Sequence, residues 1–329
     1  MLNRGDSMLG LISPTANGSP KFRLQKRYIM PVLDPASQIL LKNIIVATDF
    51  SPTSKSALRY ATVIARHYRS SIFLVHAIEP KTYAFSQPET MDRTVDQLIK
   101  NAKQQMHDEA ALFPDLELQQ CIQQGTAVEA VQRMVILINI DLVVVGTRGT
   151  EGFGKLVLGS TAEQIFRQVR CPVLTVGPDV RGQDSIPELS HILLPADLLS
   201  DESRAVEYAT SLTMQYKAHL TLLHVMIGTE PPLTEDKEAV IEPYRRRLEQ
   251  LTATSSDLFY PPEYLVEFGQ DAVTPILRVA KEQATDLIVL TVRRAEPWTS
   301  HLADKAYRIV AESPCPVLTI PEPIRHMEL

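Results

Sequence analysis

The chain contains one domain pattern twice. Asn43–Asp49 matches His191–Asp197 at an offset of 148 residues. The offset holds without a gap through Ala57/Ala205, Tyr60/Tyr208, Ala61/Ala209, Thr62/Thr210, Tyr68/Tyr216, Leu74/Leu222 and His76/His224. Three further matches follow in the same order: Gly125–Val128 with Gly269–Val273, Asp141–Val145 with Asp286–Leu290, and Cys171–Val176 with Cys315–Ile320. Four ordered matches mean two copies of one domain of about 140 residues, which a chain of 329 residues accommodates.

Each copy alternates strand and helix. In the first, Asn43–Thr48 is a short apolar run, and Ser51 or Thr53 caps the helix that follows, with Pro52 at an allowed first-turn position. Ala57, Tyr60, Ala61, Ile64, Ala65 and Tyr68 fall at helical spacing. Strands are expected at Ser71–Ala77, Leu116–Ile122, Leu142–Gly146 and Val173–Val176, and helices at Thr90–Leu112, Ala127–Ile138 and Gly159–Val169. Leu142–Val145 is apolar throughout, as a strand covered on both faces should be. The expected fold class is α/β: two tandem open parallel five-stranded sheets with helices on both faces. The expected divisions are a disordered tail over 1–40, a first domain over 41–178, a linker over 179–188, a second domain over 189–322 and a short tail to 329.

Composition narrows the function. Thirty-three basic against 39 acidic residues give a net charge of −6, which argues against a general nucleic-acid binder. No run of about 18 apolar residues is present to cross a bilayer, and no secretory core precedes the first domain. Three scattered cysteines, Cys121, Cys171 and Cys315, form no metal-binding pair and suit a reducing cytoplasm.

The chemistry is concentrated in Gly146–Ser160, which leaves a buried strand, crosses a glycine-rich loop and enters a helix. Open α/β sheets bind ligands at the carboxyl ends of their strands. Glycines allow close backbone approach or positive φ, and a helix start at Gly159-Ser160 offers free N–H groups to an anion. The Ser160 hydroxyl adds a hydrogen bond or caps that helix. Asp49 ends the first strand beside the same crevice, where a carboxylate suits a ribose hydroxyl or a metal. Gly149-x4-Gly154-Lys155 imitates a P-loop, but Leu156 stands where the magnesium-binding hydroxyl belongs. No dinucleotide fingerprint follows the first strand.

Gly146, Gly149, Gly159 and Ser160 fit G-x2-G-x9-G-(S/T) at every spacing, and here both repeats together resemble the universal stress protein family. The resemblance implies that Asp49 contacts the adenosine part of ATP and that the glycine loop and Ser160, followed by Thr161, hold the phosphates. It implies that Ala47, Thr48 and Ala77 line the adenine pocket. The implied ligand is ATP with Mg2+, and no residue is expected to bind a metal by itself. Arg148 is the nearest group for stabilising charge. No general base or arginine finger stands out, so no catalytic residue is assigned and at most weak ATP cleavage is expected.

The second copy departs from this pattern. Gly146 and Gly149 become Thr291 and Arg294, Gly159 and Ser160 become about Ala303 and Asp304, and Ala47 becomes Pro195, while Asp197 survives. Pro297 and Trp298 stand in the former phosphate loop. The expectation is a tandem stress-response or signalling module with one nucleotide site, in the first domain. Its two domains should pair within the chain through their last strands, with a homodimer and further protein partners open and no membrane. The alternatives are a slow ATP-cleaving or nucleotidyl-transferring enzyme of the same α/β group, and a nucleotide-free scaffold. His76 and His224 are expected to bond the backbone at strand ends, and Asp141 and Asp286 to cap the turns before their strands.

Overall fold

The computed structural model describes residues 39–79, 88–147, 158–178, 189–198, 203–228, 237–253, 258–292 and 301–322. The first half runs β1 (Asn43–Ala47), α1 (Pro52–Tyr68), β2 (Ser71–Ile78), α2 (Pro88–Ala111), β3 (Leu118–Gln124), α3 (Ala127–Ile138), β4 (Leu142–Gly146), α4 (Ser160–Gln168) and β5 (Val173–Val176). The second runs β6 (His191–Pro195), α5 (Ser203–Tyr216), β7 (His219–Ile227), α6 (Lys237–Thr252), β8 (Glu263–Gly269), α7 (Val273–Glu282), β9 (Leu287–Val292), α8 (His301–Glu312) and β10 (Val317–Pro321). Local signals set the helix ends. Ser51 caps α1 by accepting from Ser54 N, Pro52 takes the first turn, and Arg69 closes the helix in the left-handed region at φ 55°. Thr126 and Glu129 form a capping box at α3.

The strands form one ten-stranded sheet in the order β3-β2-β1-β4-β5-β10-β9-β6-β7-β8. Neighbours within each half are parallel. Among the described residues β5 and β10 alone pair antiparallel, with Leu174 opposite Leu318. Thr175 Oγ1 donates to Val317 O and Thr319 Oγ1 donates to Val173 O, both at 3.1 Å, so the junction repeats itself about the Leu174–Leu318 pair. The two parallel halves therefore shield each other's last strand, which would otherwise be an apolar edge. Ile44, Val46, Leu142, Leu174, Leu194, Leu222 and Val289 belong to one continuous buried cluster. A cavity of about 60 Å³ lies between α1 and α5 near the junction, walled by Tyr60, Ile64, Leu174, Tyr208, Leu212 and Leu318. Burial pushes the Tyr208 hydroxyl up to about 12. That seam offers no cradle for an anion.

Three sequence expectations are adjusted. β3 starts at Leu118 rather than Leu116, because Leu116 N donates to Phe113 O in a turn and spends its apolar side chain on the core there. Ile39 lies within the stretch expected to be tail, yet it is 2% exposed and its N–H donates to Ser211 Oγ on α5. Asp141 does not cap the turn before β4. Its Oδ2 accepts from Lys42 N (2.8 Å) and Asn43 N (2.9 Å), tying the start of β1 to β4. Asp286 does the same for Ser190 N and His191 N. Removing a buried acceptor strands its donors, so Asp141→Ala should lower unfolding free energy by about 2 kcal/mol, and Asp286→Ala, at a half-buried position, by about 1 kcal/mol. Urea titration of both variants checks this, and near-neutral values would show that water replaces the carboxylate.

Candidate functional site

The site is built at the carboxyl ends of β1 and β4. β1 stops after Ala47, and the next residues, Thr48–Ser56, carry an unusual density of hydroxyls. They fold back into the first turn of α1. Thr48 is 6%, Ser51 2%, Thr53 8% and Ser54 3% exposed, so their oxygens satisfy one another. Ser54 Oγ donates to Ser51 O at 2.9 Å. With its proton spent there, Ser54 accepts from Thr48 across 3.2 Å. Thr48 Oγ1 in turn accepts from Phe50 N at 3.0 Å. Asp49 is exposed at the rim, and its Oδ1 accepts from Ser51 N at 3.0 Å. Phe50 holds φ 64°, which costs a residue with a Cβ roughly 1–2 kcal/mol. Its ring lies 4.5 Å from the His76 ring.

Gly146 closes the arrangement. It is not in the left-handed region; its requirement is space. A Cβ there would sit 2.7 Å from the Thr53 carbonyl carbon and 2.8 Å from Ser54 N. The missing side chain thus lets the first turn of α1 rest on β4. Beyond it, Thr147 N donates to Val176 O (2.9 Å) and Gly159 N donates to Thr147 O (2.6 Å). The segment that leaves β4 is pinned to it again at Gly159. Gly159 is the N-cap of α4 and makes no side-chain cap bond, and Ser160 and Thr161 are exposed in the first turn. Ser160 is therefore the first helical residue and not the cap. The opening N–H groups of α4 have no intrahelical partner and carry the positive end of its dipole.

Gly146 and Gly159 therefore come together through Thr147, and Thr48 and Asp49 adjoin them through the first turn of α1. Ala47 is buried beneath Thr48, and Ala77 is partly exposed near the end of β2. Arg148 and Gly149 lie outside the described residues. Sequence reasoning missed the Thr53–Ser54 hydroxyls and Thr147; the run of hydroxyl residues from Thr48 to Ser56 was the available signal. It also missed Glu109. This α2 carboxyl is 6% exposed, and neither oxygen has a hydrogen-bond partner. Burial raises its pKa above the ordinary carboxylate range, Lys55 opposes that, Asp49 adds to it, and the Thr48 hydroxyl counters it weakly.

The second half has the same frame and a different mouth. His76 Nδ1 meets Thr48 O at 2.9 Å and His224 Nδ1 meets Ala196 O at 3.0 Å, so both histidines serve the backbone as expected. Thr291 replaces Gly146, and its Cβ excludes the close helix approach seen in the first half. α8 begins at His301, three residues before Asp304, the counterpart of Ser160. Its N-terminus therefore projects about 4.5 Å further than that of α4. Tyr244 from α6 stacks on His224 at 5.1 Å, where His76 meets Phe50 instead.

A duplicated parallel α/β sheet with an uncapped helix at its strand ends defines a class of small-ligand-binding modules. The model of the universal stress protein family matches residues 41–177 and 188–321, and the chain belongs to that family, as a tandem member. It is 32% identical to universal stress protein A homolog 1 of Coxiella burnetii over 41% of this chain and 95% of that protein. A universal stress protein of Methanocaldococcus jannaschii is 25% identical over 46% of this chain and 91% of its own length. Among solved structures, a universal stress protein from Archaeoglobus fulgidus aligns with a TM-score of 0.62 at 16% identity, covering 86% of this chain and 99% of that one. That likeness carries the two-domain fold.

Proposed function

We propose that this chain is an ATP-binding stress-response module whose nucleotide site lies in the first half alone. The observation that carries the reading is the contact made possible by Gly146. It seats α1 on β4, next to the start of α4, where Gly159 makes no side-chain cap bond. A triphosphate would suit that helix start: Ser160, Thr161 and the first N–H groups of α4 would hold phosphate oxygens, and Asp49 at the rim would take the ribose. Among the described residues, no cluster of three metal-ligating side chains is present. Mg2+ would then be carried mainly by the phosphates, with at most one carboxylate from the protein, which suits its preference for retained waters. The bound nucleotide would neutralise its own charge through the ion. The chain's part is to orient the phosphates and exclude bulk water from them.

Thr291 and the earlier start of α8 favour a second half that serves as a partner domain. The double variant Asp304→Ser with Arg294→Gly should not create a second tight site, because Pro195 and Trp298 remain. Calorimetric stoichiometry near one ATP per chain in both proteins is the expected result, and a stoichiometry of two in the variant would show that those residues were given too much weight. Direct support would come from small molecules released on denaturing freshly purified protein and separated by chromatography. Hydrolysis is proposed to be slow. Steady turnover above about 0.02 per second, far below usual enzyme rates, would favour the enzyme reading instead. No disulfide joins Cys121, Cys171 and Cys315, which fits a reducing compartment. Among the described residues no helix is long and apolar enough to cross a membrane.

A further inference from the structure

Glu109 is the one acidic side chain on α2 that is buried among the described residues with both oxygens unmatched. Its surroundings show why an ionised form fits badly. The Thr48 hydroxyl faces it, and with the Ser54 proton given to Ser51 O the Thr48 proton can serve either Ser54 or Glu109. An ionised carboxyl draws that proton away from Ser54, whereas the acid form can direct its own proton toward Thr48 Oγ1 and leave the Thr48–Ser54 bond in place. The charges around it are divided: Lys55 on α1 is exposed, and Asp49 is a second carboxylate at the rim. His76 on β2 bonds the Thr48 carbonyl from the strand side. No described cation is hydrogen-bonded to Glu109.

We propose that Glu109 is a proton-linked control on the ligand site: as a neutral acid it supports the Thr48–Asp49 turn in the form that accepts a polyanion, and on ionisation it opposes both. The inference rests on the nucleotide reading and adds the regulation of that site. Two effects act in the same direction. The ionised carboxyl adds a second negative charge beside Asp49 where a polyphosphate must approach. It also draws the Thr48 proton from Ser54, a bond on which the hydroxyl network of the α1 turn depends. The burial-raised pKa of Glu109 extends the neutral form toward higher pH.

The linkage sign is fixed by that direction. A carboxyl whose pKa is higher folded than unfolded binds its proton more tightly in the folded state. Its contribution to stability is full below the unfolded value and is lost as pH rises through the folded value. The test uses the full chain and Glu109→Gln, a neutral side chain of the same shape. Urea midpoints without nucleotide and calorimetric ATP affinity are measured from pH 5 to 9. Titration of ATP is common to both proteins and cancels in their ratio.

In the expected result the stability of the natural chain falls relative to Glu109→Gln as pH rises. Its ATP dissociation constant rises relative to the variant's by up to about tenfold per pH unit above the folded pKa. Parallel stability and affinity profiles would overturn the proposal by showing that Glu109 does not change charge in this range. A stability difference with a constant affinity ratio would overturn the control role and leave only a buried acid. Absence of ATP binding in both proteins at every pH would overturn the nucleotide reading and this control with it, and is distinguishable because the stability profiles would still diverge.

Discussion

Gly159→Val abolishes ATP binding and leaves the chain folded: that is the largest effect expected from the site. Gly159 sits at φ −60° and ψ 141°, in the extended region that valine adopts freely. Folding should therefore change by less than about 1 kcal/mol. The branched side chain instead stands over the open N–H groups of α4. Charge-assisted hydrogen bonds to a phosphate contribute about 1.5–3 kcal/mol each, so losing two lowers affinity by about 100-fold or more. Gly149→Val, in the segment outside the described residues, should act in the same direction. Calorimetry on both variants, with thermal unfolding as the control, measures the effect. Full affinity retained in both would remove this loop from the ligand site.

The second large effect is on stability. Gly146→Ala places a methyl group 2.7–2.9 Å from three backbone atoms of Thr53 and Ser54. Backbone yields less readily than a flexible side-chain end, so α1 must lift from β4. We expect a loss of about 2–4 kcal/mol in unfolding free energy. ATP affinity should fall with it, because the same turn orders Ser51, Ser54 and Thr48. A shift in urea midpoint equivalent to less than about 0.5 kcal/mol would show that the helix moves away at little cost. Thr291→Gly, at the matching position of the second half, should have no comparable effect on ATP binding, since no site is proposed there.

Much of the frame was legible in the sequence because its causes are local or repetitive. The offset of 148 residues exposed the duplication, and helical spacing and apolar runs set the elements. Ser51-Pro52 announced the start of α1. Expectations went wrong where a distant partner competes with a local one. Asp141 and Asp286 looked like turn caps, but unpaired N–H groups at the start of β1 and β6 hold their carboxylates instead. Of the two roles the sequence left open for Ser160, cap or added hydrogen bond, the cap position falls to Gly159, whose N–H returns to Thr147.

The residues alone reveal that one α/β domain is used twice and that the glycine spacing is kept in the first copy and lost in the second. Repetition and residue size are written in the chain and need no partner to be read. The antiparallel direction of the β5–β10 pair and its Leu174–Leu318 register, which make a single sheet, came from the tertiary structure. It alone decided that Gly146 is needed for space rather than for φ, and that Glu109 is sealed beneath the site without a hydrogen-bond partner. Each of these depends on segments far apart in the chain meeting at van der Waals distance, and burial of that kind follows from packing, which no local stretch of residues specifies.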